Sequence, residues 1–220
     1  MKSRVLLVMA VLAFATTTAA TADAQIIRPN LRRSPAAFVA LGLGWAQLQS
    51  FCDNASGACW NFAGNGAAQW RASFELPLGY GGTGWGIVGT LQRAPLVYSG
   101  GLLNSCGQCD ATSTVSQILG VFRASGGAGF HQVIDVSAGA IMFSNFRAAD
   151  GSKLGSGKTT SRFAGNIAYG FGYGISDRKE FFLEQEYGLI ILPRNSGTNS
   201  NMAQQGVTRI GLRLGIGDKR

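Results

Sequence analysis

The stretch from Arg162 to Ile175, RFAGNIAYGFGYGI, divides by parity into two chemically distinct rows. One row is Phe163, Gly165, Ile167, Tyr169, Phe171, Tyr173 and Ile175. The other is Arg162, Ala164, Asn166, Ala168, Gly170, Gly172 and Gly174. Successive strand side chains point to opposite faces, so this strand is bulky and aromatic on one side and small or polar on the other. A soluble sandwich buries its greasy face against a second sheet and shows water polar residues of any size. Here the second face is mostly Ala and Gly, as though it lined a crowded interior. That arrangement predicts a closed barrel whose apolar side meets lipid.

Composition supports the same expectation. Only 14% of the 220 residues are charged. Beyond the first two dozen residues, however, there is no run of ~18 apolar residues that would make a membrane helix. Glycine supplies 32 positions, about twice its usual ~7% share, with no collagen-like period. The formal charge of +8 permits an anionic partner, but the basic residues are scattered. No Lys/Arg run is interleaved with aromatics, so nucleic-acid binding is not expected.

Residues 1–24 read as a cleaved secretory signal: Lys2 and Arg4 form the positive start, Val5 to Ala15 the apolar core, and Ala22-Asp23-Ala24 the small-x-small site. Residues 25–36, with two prolines and Arg28, Arg32 and Arg33, read as a flexible basic lead-in. From 37 to 217 the alternation recurs in eight segments near 37–48, 67–77, 85–96, 112–123, 132–143, 162–175, 181–192 and 207–217. Outward rows include Leu41, Leu43 and Trp45; Trp70 and Phe74; Trp85, Ile87 and Leu91; and Ile210, Leu212 and Leu214. The segment 112–123 alternates most weakly, and its faces are not assigned. Residues 218–220 are a tail.

The connections alternate in length. Those near 79–84, 125–130 and 176–180 are short, whereas those near 49–66, 97–111, 147–159 and 193–206 are longer. The predicted fold is therefore all-β: an eight-stranded antiparallel up-and-down transmembrane β-barrel with short periplasmic turns and longer external loops. With the signal, this pattern and the closing Gly211-Leu212-Arg213, the chain resembles the small outer-membrane β-barrel family, the OmpA/OmpX-like barrels. The resemblance implies residence in the bacterial outer membrane, contact with its lipid, and insertion by the barrel-assembly machinery. That family usually ends on an aromatic residue, whereas this chain ends Gly217-Asp218-Lys219-Arg220.

The inward row carries Arg71, Arg162, Arg209 and Arg213 against Glu75, Asp135, Glu184 and Glu186. Charges in a filled, low-dielectric lumen must be paired and hydrogen-bonded. Arg209 and Arg213 are therefore expected to meet Glu184 and Glu186, with Arg162 approaching from its own strand. Eight strands leave room only for side chains, so a salt-bridged plug is expected in preference to a diffusion pore.

Cys52 and Cys59 share the first long loop, and Cys106 and Cys109 share the second. In an exported protein two loop-local disulfides are expected, although four cysteines allow three pairings. The CGQC spacing lacks the helix start that thioredoxin-like chemistry needs. Gly79-Tyr-Gly81-Gly-Thr-Gly84 spells GxGxxG but precedes a strand, so it reads as a turn. The sequence around Gly157-Lys158-Thr159 lacks the first Walker glycine and a following helix. His131 is the single histidine, and Asp135 lies over ~10 Å along the same strand, too far for a hydrogen-bonded relay. No catalytic residue, metal or cofactor is called for. Arg147, Lys153 and Lys158 make the third long loop basic enough to touch lipopolysaccharide phosphates; an ordinary solvated loop has the same composition. The expected role is non-enzymatic, structural or surface-interacting through the stapled loops. A lipid-modifying barrel enzyme and a soluble lipocalin-like barrel with inverted faces are the rivals.

Overall fold

The computed structural model describes residues 34–53, 58–62, 64–78, 82–100, 108–154, 159–192 and 202–218. The signal and most of the lead-in, Cys106, Lys158, residues 79–81 of the 79–84 turn and the last two residues lie outside the described residues. The strands are β1 (Ala37–Leu48), β2 (Phe51–Asp53), β3 (Ala58–Asn61), β4 (Ala67–Pro77), β5 (Gly84–Gly100), β6 (Gln108–Ser125), β7 (Gly129–Ala148), β8 (Thr160–Ser176), β9 (Lys179–Ile191) and β10 (Met202–Ile216).

Eight of these close a tube. Each long strand pairs antiparallel with the next, and the pairings β1–β10 and β5–β6 complete the circuit. Closure satisfies every neighbouring backbone ladder without an open edge, which is what a β-structure in hydrocarbon requires. The short hairpin β2–β3 lies within the first long connection. β5 outlasts its partner β4, whose pairing ends at Gln69↔Gln92. β3 then takes over the exposed edge of β5, from Asn61↔Val97 to Ala58↔Gly100. The sequence pattern did not resolve this hairpin, and it also stopped β5, β6 and β7 short. These strands continue past the apolar belt, where the outer face turns polar and the greasy alternation fades.

The parity rows fall as expected. Leu41, Trp70, Ile87, Ile167, Tyr187 and Ile210 are each more than half exposed, whereas Ala40, Arg71, Val88, Ala168, Glu186 and Arg209 are buried. On β6 the odd positions Val115, Gln117, Leu119, Val121 and Arg123 point inward. In β7 a bulge breaks the register between Thr112 and Thr114 of its partner, with Asn145 at φ 52°. Asn tolerates this left-handed conformation better than most residues, and the extra residue flips the parity beyond it. Phe146 therefore turns into the core and Arg147 turns out.

Candidate functional site

The tube interior is layered. Nearest the long-loop end, Phe51, Trp60, Phe62, Tyr98, Phe143 and Phe146 pack with Leu96, Ile141, Ile190 and Leu192 in one apolar cluster. The Trp60 and Phe146 ring centroids are 4.5 Å apart, and Phe51 meets Phe143 edge-on at 5.4 Å. Two of these rings arrive on the β2–β3 hairpin, which the Cys52–Cys59 disulfide crosses at a directly paired position. Cys109 is disulfide-bonded as well.

Below the rings lies a layer of buried amides. Gln117 donates to Gln205 at 2.8 Å, Gln205 to Asn166 at 2.7 Å, and Asn166 back to Gln117 at 3.2 Å, a closed ring of hydrogen bonds across β6, β10 and β8. Gln69 donates to Gln92 at 3.1 Å, and its own carbonyl oxygen accepts from Arg209 at 2.6 Å, which joins this layer to the charged one.

The charged layer gathers side chains from five strands, β4, β6, β7, β9 and β10. Arg71 reaches Asp135 at 2.8 Å and also bonds Glu184. Arg209 reaches Glu184 at 2.6 Å and Glu186 at 3.2 Å, and Arg213 reaches Glu75 at 2.7 Å. Arg123 stands among Glu75, Asp135, Glu180 and Glu184 at 3.5 to 3.9 Å, with its guanidinium 4.4 Å from the Phe182 ring centroid. Inward glycines make room for these long side chains: a Cβ on Gly42 would lie 2.8 Å from the Arg209 Cδ.

Seven of the eight residues expected in the ion network meet there. Arg162 does not. It pairs with Ile141 across β7, six residues along β8 from the Ala168 that faces Glu186, about 20 Å of strand. Its Nη1 donates to the Ser161 carbonyl at 2.8 Å. Parity specifies a face but not a height, which is why a residue on the correct row can miss the cluster. Arg123 and Glu180 are present instead, so four guanidiniums face five carboxylates.

At the short-turn end, Ser125, His131 and Glu180 converge. The Ser125 hydroxyl lies 3.1 Å from His131 Nε2 and 3.1 Å from Glu180 Oε2, and Glu180 Oε1 lies 3.7 Å from Nε2. His131 Nδ1 is 2.9 Å from the Gly129 carbonyl oxygen, which can only accept, so Nδ1 carries the proton. Hydroxyl and carboxylate both address Nε2, whereas a serine relay places its carboxylate on Nδ1. The cluster ties the β6–β7 turn to β9. Asp135 takes no part in it; that carboxylate belongs to the charged layer.

Outside the tube, Arg147 donates from Nε to Asn145 at 3.0 Å and from Nη1 to the Gly151 carbonyl at 3.0 Å, and it forms a β-bridge with Lys153. The nearby Asp150 carboxylate is occupied by the Ser152 hydroxyl at 2.6 Å and backbone N–H at 2.9 Å, which hold it below the usual carboxylate range. Among the described residues no group of three or more metal-ligating side chains is brought together.

A closed antiparallel tube of eight strands, apolar on its outer wall and charged within, has the architecture of a transmembrane β-barrel. Its solved counterparts are small outer-membrane barrels. Neisserial surface protein A matches at TM-score 0.54 with 11% identity, covering 83% of this chain and 99% of that one. OprG from Pseudomonas aeruginosa matches at TM-score 0.45 and 13% identity over 83% of this chain and 96% of that one. Ail, the attachment invasion locus protein of Yersinia pestis, solved with a heparin analogue, matches at 0.40 and 13% over 81% and 99%. No family model matches the sequence, and no curated protein does.

Proposed function

We propose that this chain is an integral protein of a bacterial outer membrane, exported by a cleaved signal at 1–24 and inserted by the barrel-assembly machinery. Its lumen is closed by side chains and its role is non-enzymatic, structural or surface-interacting through disulfide-stapled external loops. Arg147 and Lys153, with Lys158 in the same loop, contribute lipopolysaccharide contact. The observation that carries this proposal is the sorting of chemistry across one wall. Thirty large hydrophobic side chains are exposed on the described surface while Arg71, Arg123, Arg209 and Arg213 are buried. In water that arrangement exposes far more contiguous apolar surface than a monomer tolerates and also desolvates charges. In hydrocarbon the outer wall is at equilibrium, and each buried guanidinium has carboxylates to meet.

Membrane fractionation combined with gel mobility before and after heating tests it. The expected outcome is recovery in the detergent-requiring outer-membrane fraction, with a band that shifts on boiling. Recovery in the soluble periplasm without detergent would sink the proposal in favour of a soluble binding barrel. Loss of a lipid-modifying activity on His131→Ala would overturn the non-enzymatic assignment.

A further inference from the structure

The geometry points to a lipid-phosphate site on the outer wall, where Arg93 of β5 and Arg147 of β7 flank Thr112 of β6 at the upper edge of the apolar belt. It rests on the outer-membrane proposal and deepens it by naming the residues and the ligand chemistry.

Three observations carry it. First, all three side chains share the outward face. Gln92, Ala94, Ala111, Ser113 and Phe146, their immediate neighbours in sequence, are buried on the inner one. Arg147 joins this face only because of the β7 bulge; in unbroken alternation its odd number would send it inward with Ile141 and Phe143. The register sets Thr112 directly opposite Arg147, and Arg93 Nε and Nη2 reach the Thr112 hydroxyl at 3.4 and 3.3 Å. Arg93 is thus held against the Thr112 hydroxyl, while Arg147, on the neighbouring strand opposite Thr112, is held by the Asn145 amide and the Gly151 carbonyl and keeps Nη2 outside those bonds. None of the described ion pairs gives either guanidinium a carboxylate. Asp150 is bonded to Ser152, and Asp110, two residues beyond Thr112, is the other acidic side chain on this face.

Second, the height is that of a headgroup. Leu91, half exposed, lies two residues below Arg93 on the same face and pairs with the exposed Trp70. Arg93 therefore stands about 7 Å above the last apolar rung, where interfacial tryptophan marks the boundary between acyl chains and phosphates.

Third, a surface groove of about 470 Å³ lies beside Arg93, which lines it together with Ala68, Trp70, Leu91, Pro95 and Thr114. Its lining is largely apolar, with Trp70 and Leu91 continuing the belt, and Arg93 supplies its one cationic side chain. That combination fits the acyl chain and phosphate of one lipid, because guanidinium forks hold phosphate through paired charge-assisted hydrogen bonds. The occupant is an outer-leaflet lipid bearing a phosphate near its acyl chains, of which lipid A is the representative.

The test uses the whole chain purified in mild detergent, with native mass spectrometry counting retained lipid. The probes are diphosphorylated lipid A and its phosphate-free derivative. Wild type should retain the phosphorylated form preferentially. The Arg93→Gln/Arg147→Gln double variant should lose it by about tenfold or more, the scale of one or two charge-assisted hydrogen bonds, with no change for the phosphate-free lipid. Arg178→Gln, a basic residue at the opposite end of the barrel, should behave as wild type. Equal retention of both lipids by wild type, or unchanged retention by the double variant, would overturn the site. Full displacement by inorganic phosphate alone would overturn the lipid as its occupant. Heat-modifiable mobility of the same samples is read in parallel. Its loss in wild type removes the barrel-in-membrane proposal itself, whereas its persistence with failed retention removes only the site.

Discussion

Arg123 is the residue on which the interior converges. It is fully buried, four carboxylates surround it, and it makes no short hydrogen bond to any of them, so its contribution is charge at the centre of an acidic cage. Removing a buried ion-pair partner leaves the opposite charges uncompensated in low dielectric, so Arg123→Met should destabilise the barrel by about 3–5 kcal/mol. Arg178→Ala removes a half-exposed pair with Asp218, where solvent screens the charges, and should cost less than about 1 kcal/mol. Urea unfolding in lipid vesicles, read by heat-modifiable mobility, separates the two, and equal losses would mean the cage contributes nothing special. The sequence made Arg71, Arg209 and Arg213 legible because their strands alternate strongly. Arg123 was not legible, because the inner row of β6 is itself apolar at Val115, Leu119 and Val121, and hydrophobicity no longer tells inside from outside. His131 was legible as too far from Asp135 for a relay, but its partners Ser125 and Glu180 come from the end of β6 and the start of β9, which spacing along one chain segment cannot bring together.

At the scale of the element, the eight wall strands were readable because hydrocarbon imposes a strict alternation on whatever crosses it. The β2–β3 hairpin and the long upper parts of β5, β6 and β7 were not, because above the belt both faces mix polar and apolar residues. The β7 bulge at Asn145 is invisible to a period-two argument, since its effect is to break the period. These upper elements nevertheless form a packed unit: Phe51 and Trp60 enter the apolar cluster from the hairpin, and Cys52–Cys59 ties its two arms. The disulfide closes a loop of sequence separation 7, worth about 2–3 kcal/mol by chain entropy, and that stabilisation belongs to the hairpin. Cys52→Ala/Cys59→Ala should therefore speed backbone hydrogen exchange in β2 and β3 and leave the barrel's unfolding midpoint within the error of wild type. A fall in the midpoint as large as that of Arg123→Met would show instead that the hairpin is part of the cooperative barrel.

For the whole molecule the question is what a tube of this size can pass. Eight strands enclose a space just wide enough for side chains, and four described groups of side chains stand along it. A knot of Ser125, His131 and Glu180 lies at one end, followed by guanidiniums with carboxylates, a ring of amides, and aromatic rings. On the proposal that these groups close the lumen, an ion entering from the long-loop end first crosses an apolar layer that offers nothing to replace its hydration, and then meets charges already committed to one another. The proposal of a closed lumen thus predicts two independent seals. Wild type in planar bilayers should give no conductance steps. Phe51→Ala/Trp60→Ala, which empties part of the aromatic layer, should stay silent too, because the charged layer still spans the tube. Adding Arg71→Ala and Glu184→Ala removes a guanidinium and a carboxylate that bond each other, and only this combination is expected to conduct. Steps in wild type would make the molecule a narrow porin, and steps in the aromatic double variant would mean that the charged layer is a selectivity region and not a seal.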